Sequence, residues 1–261
     1  MSSIDYSTEA LVMQKHPFRE RDVIVKLLAR NGQLLNMIFY GGRGGGVKKK
    51  SSLIELGHCL KIELKKKKLS TDNLLVAKEW SLKWNSDKIR LNHNAFYLMN
   101  FMFEILLKLH LESDEMDEEG EHKELYVLLS NALFFLQKSL EKGAFVLNQH
   151  LNIFLVKLLY NVGILPDTEH CVHCQKELRG TFIFEPGNGG FSCCFSEGIK
   201  KFDIALAQSI HQAFKTILPL KYEEALALNC SDSEVSKALF HFYCYQFHFQ
   251  KQNFKSAQMI F

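Results

Sequence analysis

The sequence predicts an α+β protein, with a small N-terminal β-barrel followed by a mainly α-helical domain that carries a zinc-ribbon-like insertion. Residues 9–82 fall into short runs rich in Leu, Val, Ile and aromatics, parted by turn residues; from about residue 87 apolar residues recur at helical spacing; and four of seven cysteines crowd into residues 171–194. At 261 residues, 47% of them apolar and 23% charged, the chain is long enough for two or three small domains and a substantial core. The expected division is the barrel over 1–84, a helical domain over 85–168, the insertion over 169–200, and C-terminal helices over 201–261 packing on the helical domain.

The expected strands are residues 10–14, 22–29, 34–40, 58–65 and 74–82. In the fourth, Leu60, Ile62 and Leu64 alternate with Lys61, Glu63 and Lys65, which turns the apolar side chains inward and the charges outward. Asn31-Gly32 is a turn signal between the second and third. Five strands in about 75 residues suit a small barrel, of which the OB-fold is one candidate; a sandwich fragment is the other.

Helical spacing marks residues 95–111, 124–141, 144–162, 203–218 and 234–250. The third ends where Gly163 can cap it, with Pro166 beyond. Ser231 and Glu234 have capping-box spacing at the start of the last. The stretch 95–111 is interrupted by Asn100, Glu104, Lys108 and His110, so it reads as a buried helix and not a membrane span. The N-terminus lacks a basic region followed by an apolar one, which predicts a cytoplasmic protein. Seven cysteines in such a setting point to metal binding and not to disulfides.

The formal net charge of +3 names no partner, but its distribution does more. Residues 1–68 carry 14 Lys and Arg against 6 Asp and Glu, whereas residues 104–124 carry 9 acids against 2 bases. A basic N-terminal region suits a polyanion. Within it, the glycine-rich segment 41–52 holds Arg43, Lys48, Lys49 and Lys50. Val47 separates its last glycine from the lysines and no helical pattern follows, so it is not a Walker loop; cations on a flexible tether can instead follow a phosphate backbone. Lys65, Lys66, Lys67 and Lys68 close the fourth strand, and Arg19 and Arg21 precede the second. Phe39 or Tyr40 can add base stacking; adjacent strand residues face opposite ways, so at most one of them faces a groove, and Phe39 is taken as the candidate.

Cys171 and Cys174 form one C-x-x-C knuckle, and Cys193 and Cys194 follow after a turn that includes Pro186 and Gly187. Ser196 stands where a second C-x-x-C would place its last thiolate. One structural zinc is the expected cofactor, held by Cys171, Cys174, Cys193 and a fourth ligand from Cys194, His173 or His170. A metal-free ribbon packed through Phe182, Phe184 and Phe191 is the open alternative. The triplet His122-Lys123-Glu124 superficially matches the H-x-E of zinc deaminases, but the cysteine flanks read as a ribbon. No nucleophile elbow or carboxylate cluster is present, so no catalytic residue is expected.

In order along the chain, Glu9-Ala10-Leu11-Val12, Glu20-Arg21-Asp22, Asn31-Gly32, the segment 41–52 ending in Lys-Ser, the junction Leu159-Tyr160-Asn161-Val162-Gly163-Ile164-Leu165-Pro166-Asp167 leading to Cys171 and Cys174, the return Gly189-Gly190-Phe191-Ser192-Cys193, and the terminal Asn253-Phe254-Lys255-Ser256 resemble the RecO family of bacterial recombination mediators. Their order and spacing carry the likeness over nearly the whole chain. Ser196 is the departure, since zinc-bearing members have cysteine there; other members lack the zinc cysteines altogether. The resemblance implies an OB-fold, a helical domain and a zinc-ribbon-like insertion. It also implies binding of single- and double-stranded DNA, strand annealing, and work alongside RecR, single-strand-binding protein and RecA. The rival expectation is a protein adaptor that docks a peptide between helices 95–111 and 144–162, with only incidental DNA contact.

Overall fold

The computed structural model describes residues 4–42, 50–66, 74–112, 122–195 and 201–261. Five strands, β1 (Ile4–Phe18), β2 (Asp22–Ala29), β3 (Leu34–Phe39), β4 (Cys59–Lys66) and β5 (Leu74–Trp84), close a barrel in the order β1-β2-β3-β5-β4. Only β3 and β5 run parallel; the other neighbours are antiparallel. This closed, five-stranded order is that of an OB-fold, which excludes the sandwich fragment.

The interior follows from period-two patterning. Ala10, Val12, Val23, Val25, Leu27, Met37, Phe39, Leu60, Ile62, Leu64 and Ala77 fill it, with Trp80 and Leu82 half-buried against them. Lys61 and Glu63 are exposed between those leucines. β1 is three times the expected length because it serves two partners: Ile4 to Leu11 pair with β4, and Ala10 to Phe18 with β2. A bulge between Val12 and Gln14 lets one strand turn that corner.

Seven α-helices follow among the described residues: α1 (Asp87–Leu91), α2 (His93–Glu112), α3 (Lys123–Glu141), α4 (Leu147–Asn161), α5 (Lys201–Ile217), α6 (Tyr222–Ala225) and α7 (Ser233–Gln246). The chain divides into two compact units, Met1–Leu133 and Phe134–Phe261, so the first boundary falls within α3 and not at the change of period near 85. Packing explains this. Ser86 donates to the Leu56 carbonyl, Met99 of α2 lies against Gly57, and Tyr126 of α3 meets Cys59 of β4 at 3.7 Å. Leu11, Met13 and Leu28 are also buried, although they lie outside the barrel interior.

In the second unit α4 is the central post, buried from His150 to Val156. Its polar side chains satisfy backbone carbonyls of a neighbouring irregular segment. Gln149 donates to Leu226 and Leu228, and Asn152 to Cys230 and Asp232; Lys157 reaches Leu220 at 2.6 Å. Gly163, at φ +73, ends α4 as expected, with the Ile164 amide returning to the Leu159 carbonyl. The expected cap of α7 is corrected: Asp232, not Ser231, accepts from the Glu234 amide, while Ser231 turns to Asn229. α7 also stops earlier than expected. His248 takes a positive φ of 56°, and Phe247, Phe249 and Phe254 then gather around Tyr243. Most apolar residues of α2 from Leu98 to Leu107, and of α4 from Leu151 to Leu159, are buried.

Candidate nucleic-acid interface and candidate metal centre

Arg19 and Arg21 lie exposed on the turn between β1 and β2. Arg19 takes a φ of 53°, unusual for a side-chain-bearing residue, and its guanidinium sits 5.1 Å from the Phe18 ring centroid. β3 reaches the same end of the barrel, since Phe39 pairs with Val23. There the Gly41 amide donates to Asp22 Oδ1 at 2.9 Å, so the chain enters the glycine-rich segment directly beside the arginine turn.

Phe39 is corrected. It is fully buried in the barrel and packs edge-to-face on Trp80 with centroids 5.1 Å apart, so it cannot stack on a base. Leu35, Met37 and Phe39 share one parity and one face of β3, a signal already present in the sequence. Tyr40 is the accessible aromatic at this end, 51% exposed.

Arg43, Lys48, Lys49, Lys67 and Lys68 lie outside the described residues, and only the backbone of Lys50, Lys65 and Lys66 is described. Lys50 opens a short 3-10 turn. Lys65 and Lys66 close β4 opposite Asp5 and Ile4, and β5 begins at Leu74 beside Asn36. The register therefore puts the β4–β5 connection at the end of the barrel opposite Arg19, Arg21 and Tyr40. Between the two ends runs the outer wall of β2 and β3, where Ile24 pairs with Ile38 and Lys26 with Asn36. Barrels of this topology bind oligonucleotides on the β2–β3 face and on the β1–β2 and β4–β5 connections. In this chain Arg19 and Arg21 lie on the first of these connections and Lys67 and Lys68 fall in the second by sequence, while Arg43, Lys48, Lys49 and Lys50 belong to the β3–β4 connection.

The second candidate is the cysteine segment. Cys171 and Cys174 flank a tight turn, and Val172 donates to the Phe191 carbonyl of the hairpin β6 (Ile183–Glu185) and β7 (Gly190–Ser192). The hairpin turns through Gly189 at φ +80. The four sulfurs of Cys171, Cys174, Cys193 and Cys194 lie within 4.8 Å of one another; Cys174 and Cys193 are 3.6 Å apart, Cys171 and Cys194 3.8 Å. A tetrahedral zinc with Zn–S bonds of about 2.3 Å sets its sulfurs about 3.8 Å apart. The residues therefore fit the ion. Cys194 comes into the fourth corner, whereas His173 pairs with Glu185 at 2.9 Å and His170 with Asp167 at 3.2 Å. Ser196 lies outside the described residues.

Burial opposes ionisation of Cys171, but the backbone amides of Cys174, His173 and Cys193 outweigh it and hold its pKa at about 5. Hydrogen bonds to Cys174 and Cys171, with some burial, push Cys194 up to about 12. One thiol of the cluster thus ionises readily while another resists, since a thiolate beside a thiol accepts its hydrogen bond and opposes a second negative charge. The alternative packing is present as well: Phe191 meets Phe182 at 5.6 Å and Phe184 at 5.0 Å, and Phe182 lies 5.1 Å from His211 of α5. The ribbon therefore has a hydrophobic floor besides its thiols. Of the His122-Lys123-Glu124 triplet, His122 precedes α3 and the other two open it; none belongs to the cysteine cluster.

Residues 90–257 match the family model described as recombination protein O C terminal. The chain is also 29% identical over 182 residues to the DNA repair protein RecO of Thermodesulfovibrio yellowstonii, an alignment that spans 70% of this chain and 67% of that protein. The family match begins after the barrel, so the barrel's topology and the helical match are separate observations.

Proposed function

The chain belongs to the RecO family, and from that premise we propose that it is a DNA repair and homologous recombination mediator that binds single- and double-stranded DNA, anneals complementary strands and helps load the recombinase onto strands covered by single-strand-binding protein. The observation that supports the DNA contact is an OB-type barrel with the exposed Arg19 and Arg21 on its β1–β2 turn, in a chain whose first 68 residues carry 14 Lys and Arg against 6 Asp and Glu. Arg19 and Arg21 at one end, with Arg43, Lys48, Lys49 and Lys50 on the segment that leaves beside them, and Lys65, Lys66, Lys67 and Lys68 at the other end, hold phosphates across the β2–β3 wall. Neutralised phosphates repel one another less, so complementary bases can pair; the protein contributes no catalytic step. Release of condensed counterions drives the binding.

One structural zinc fits Cys171, Cys174, Cys193 and Cys194, where it ties the first knuckle to the end of β7. By family, RecR, single-strand-binding protein and RecA are the protein partners. The test is strand annealing with and without single-strand-binding protein, comparing the native chain with the triple variant Lys48→Ala, Lys49→Ala, Lys50→Ala. Three lost contacts to a single strand lower the salt slope of binding by about 2. The expected outcome is weakened DNA binding and annealing with capture of single-strand-binding protein intact. Unchanged DNA affinity in the triple variant would instead favour the adaptor.

A further inference from the structure

The β1–β4 wall lies across the closed barrel from the β2–β3 wall, and it carries a separate hollow of about 510 Å³ lined by Ser7, Thr8, Glu9, Arg30, Asn31, Lys61 and Lys123. Three cations meet one carboxylate there. Glu9 is engaged by Arg30 at 3.5 Å and by Lys83 of β5, the strand beyond β4, at 3.4 Å. Lys61, directly across the β1–β4 ladder from Glu9, and Lys123 are exposed, and neither makes an ion pair among the described residues. Exposed Glu63, opposite Ser7 on the same ladder, marks the acidic margin on one side.

The hollow has a fixed frame. The Arg30 amide donates to the Glu9 carbonyl at 2.8 Å, which pins the β2–β3 turn to β1. Gly32 takes φ +91, and the His122 carbonyl fills the space a Cβ would need, so the turn seats against the start of α3 and sets Arg30 and Asn31 beside Lys123. Asn31 Oδ1 accepts from the Gln33 amide at 3.2 Å, which leaves its NH₂ group as the free end. Apart from the Glu9 carboxylate, the polar groups facing the hollow are thus largely donors, and its volume exceeds the needs of a single phosphate.

We propose that this hollow is a second phosphate-binding site, which holds the backbone of a second DNA strand while the first lies on the β2–β3 wall. The inference rests on the DNA-binding reading above and extends it: two strands held on opposite walls are brought together by one protein, with Lys61, Lys123 and Arg30 neutralising the second.

The test uses the full chain with two non-complementary oligothymidylates, one carrying a donor and the other an acceptor fluorophore, so that energy transfer reports both strands on one molecule. The double variant Lys61→Ala, Lys123→Ala is expected to bind a first strand within twofold of the native chain and to lose bridging at least tenfold. Its second-strand salt slope falls by about 1.4, two contacts at about 0.7 each. Glu9→Gln, which removes the one carboxylate, is expected to strengthen bridging. Bridging unchanged in the double variant overturns the proposal, and so does an equal loss of first-strand binding, which would mean one continuous site. Displacement of the second strand by thymidine monophosphate at equal phosphate concentration assigns the hollow to a free phosphate ligand and also overturns it. If the native chain binds no oligonucleotide, the DNA-binding reading falls as well, an outcome distinct from first-strand binding that persists without bridging.

Discussion

His150 shows how much one residue can decide. It is fully buried on α4, with Nε2 3.0 Å from the Ser139 hydroxyl and Nδ1 without a hydrogen-bond partner. Burial pushes its pKa down from 6.5 to about 4. The unfolded imidazole therefore takes up a proton at a pH where the folded one stays neutral. Its contribution to stability is complete above about pH 6.5 and is lost as pH falls toward 4, on the order of 2 kcal/mol by pH 5. Denaturant midpoints measured from pH 7.5 to 5 are expected to decline less steeply in His150→Gln than in the native chain; parallel declines would contradict the assignment. Phe39 and Tyr40 make a different point about residues. Strand parity puts Phe39 with Leu35 and Met37 on the core face, whereas its place beside a basic segment suggests base stacking; parity is the stronger signal, because it follows from which side of the strand meets the core. The arginine turn was legible as charge; the positive φ of Arg19 was not, because arginine, unlike glycine or asparagine, does not announce it.

Among elements, the return strand of the ribbon is the most informative. The sequence left the fourth ligand open between Cys194, His173 and His170, because sequence spacing does not say which way adjacent side chains turn. Folding the hairpin brings Cys194 to 3.8 Å from Cys171 and gives both histidines to carboxylates. Cys194→Ser is expected to weaken zinc binding by at least about tenfold, read by metal stoichiometry after dialysis and by the thiolate charge-transfer bands of the cobalt-substituted protein. Full stoichiometry with unchanged bands would give the fourth corner to another residue. The strands of the barrel were placed almost to the residue, since period-two alternation is set by which side faces the core. β1 was seen only in part: its ends are polar, and its length comes from pairing with two strands, a tertiary cause. The helices were placed well in their middles, where burial sets the pattern. Their ends were less legible, as the cap at Asp232 and the aromatic turn after α7 depend on local hydrogen bonds and packing.

At the scale of the whole molecule, the class of fold was legible because the change from period two to helical spacing is abrupt. The grouping of elements was not: α1, α2 and the start of α3 belong with the barrel through contacts at Leu56, Gly57 and Cys59 that no periodicity reveals. The clustering of charge in the first 68 residues was plain, but that the β1–β2 turn with Arg19 and Arg21 and the close of β4 lie at opposite ends of the barrel appears only with the strand order. That arrangement makes the account one of a polyanion drawn across a wall, with cations at both margins. Its most direct test is the affinity of the full chain for a single-stranded oligonucleotide measured across ionic strength. With four or more phosphate contacts, log K is expected to fall against log salt with a slope of about −3 or steeper. An affinity that stays level from low to moderate salt would contradict it.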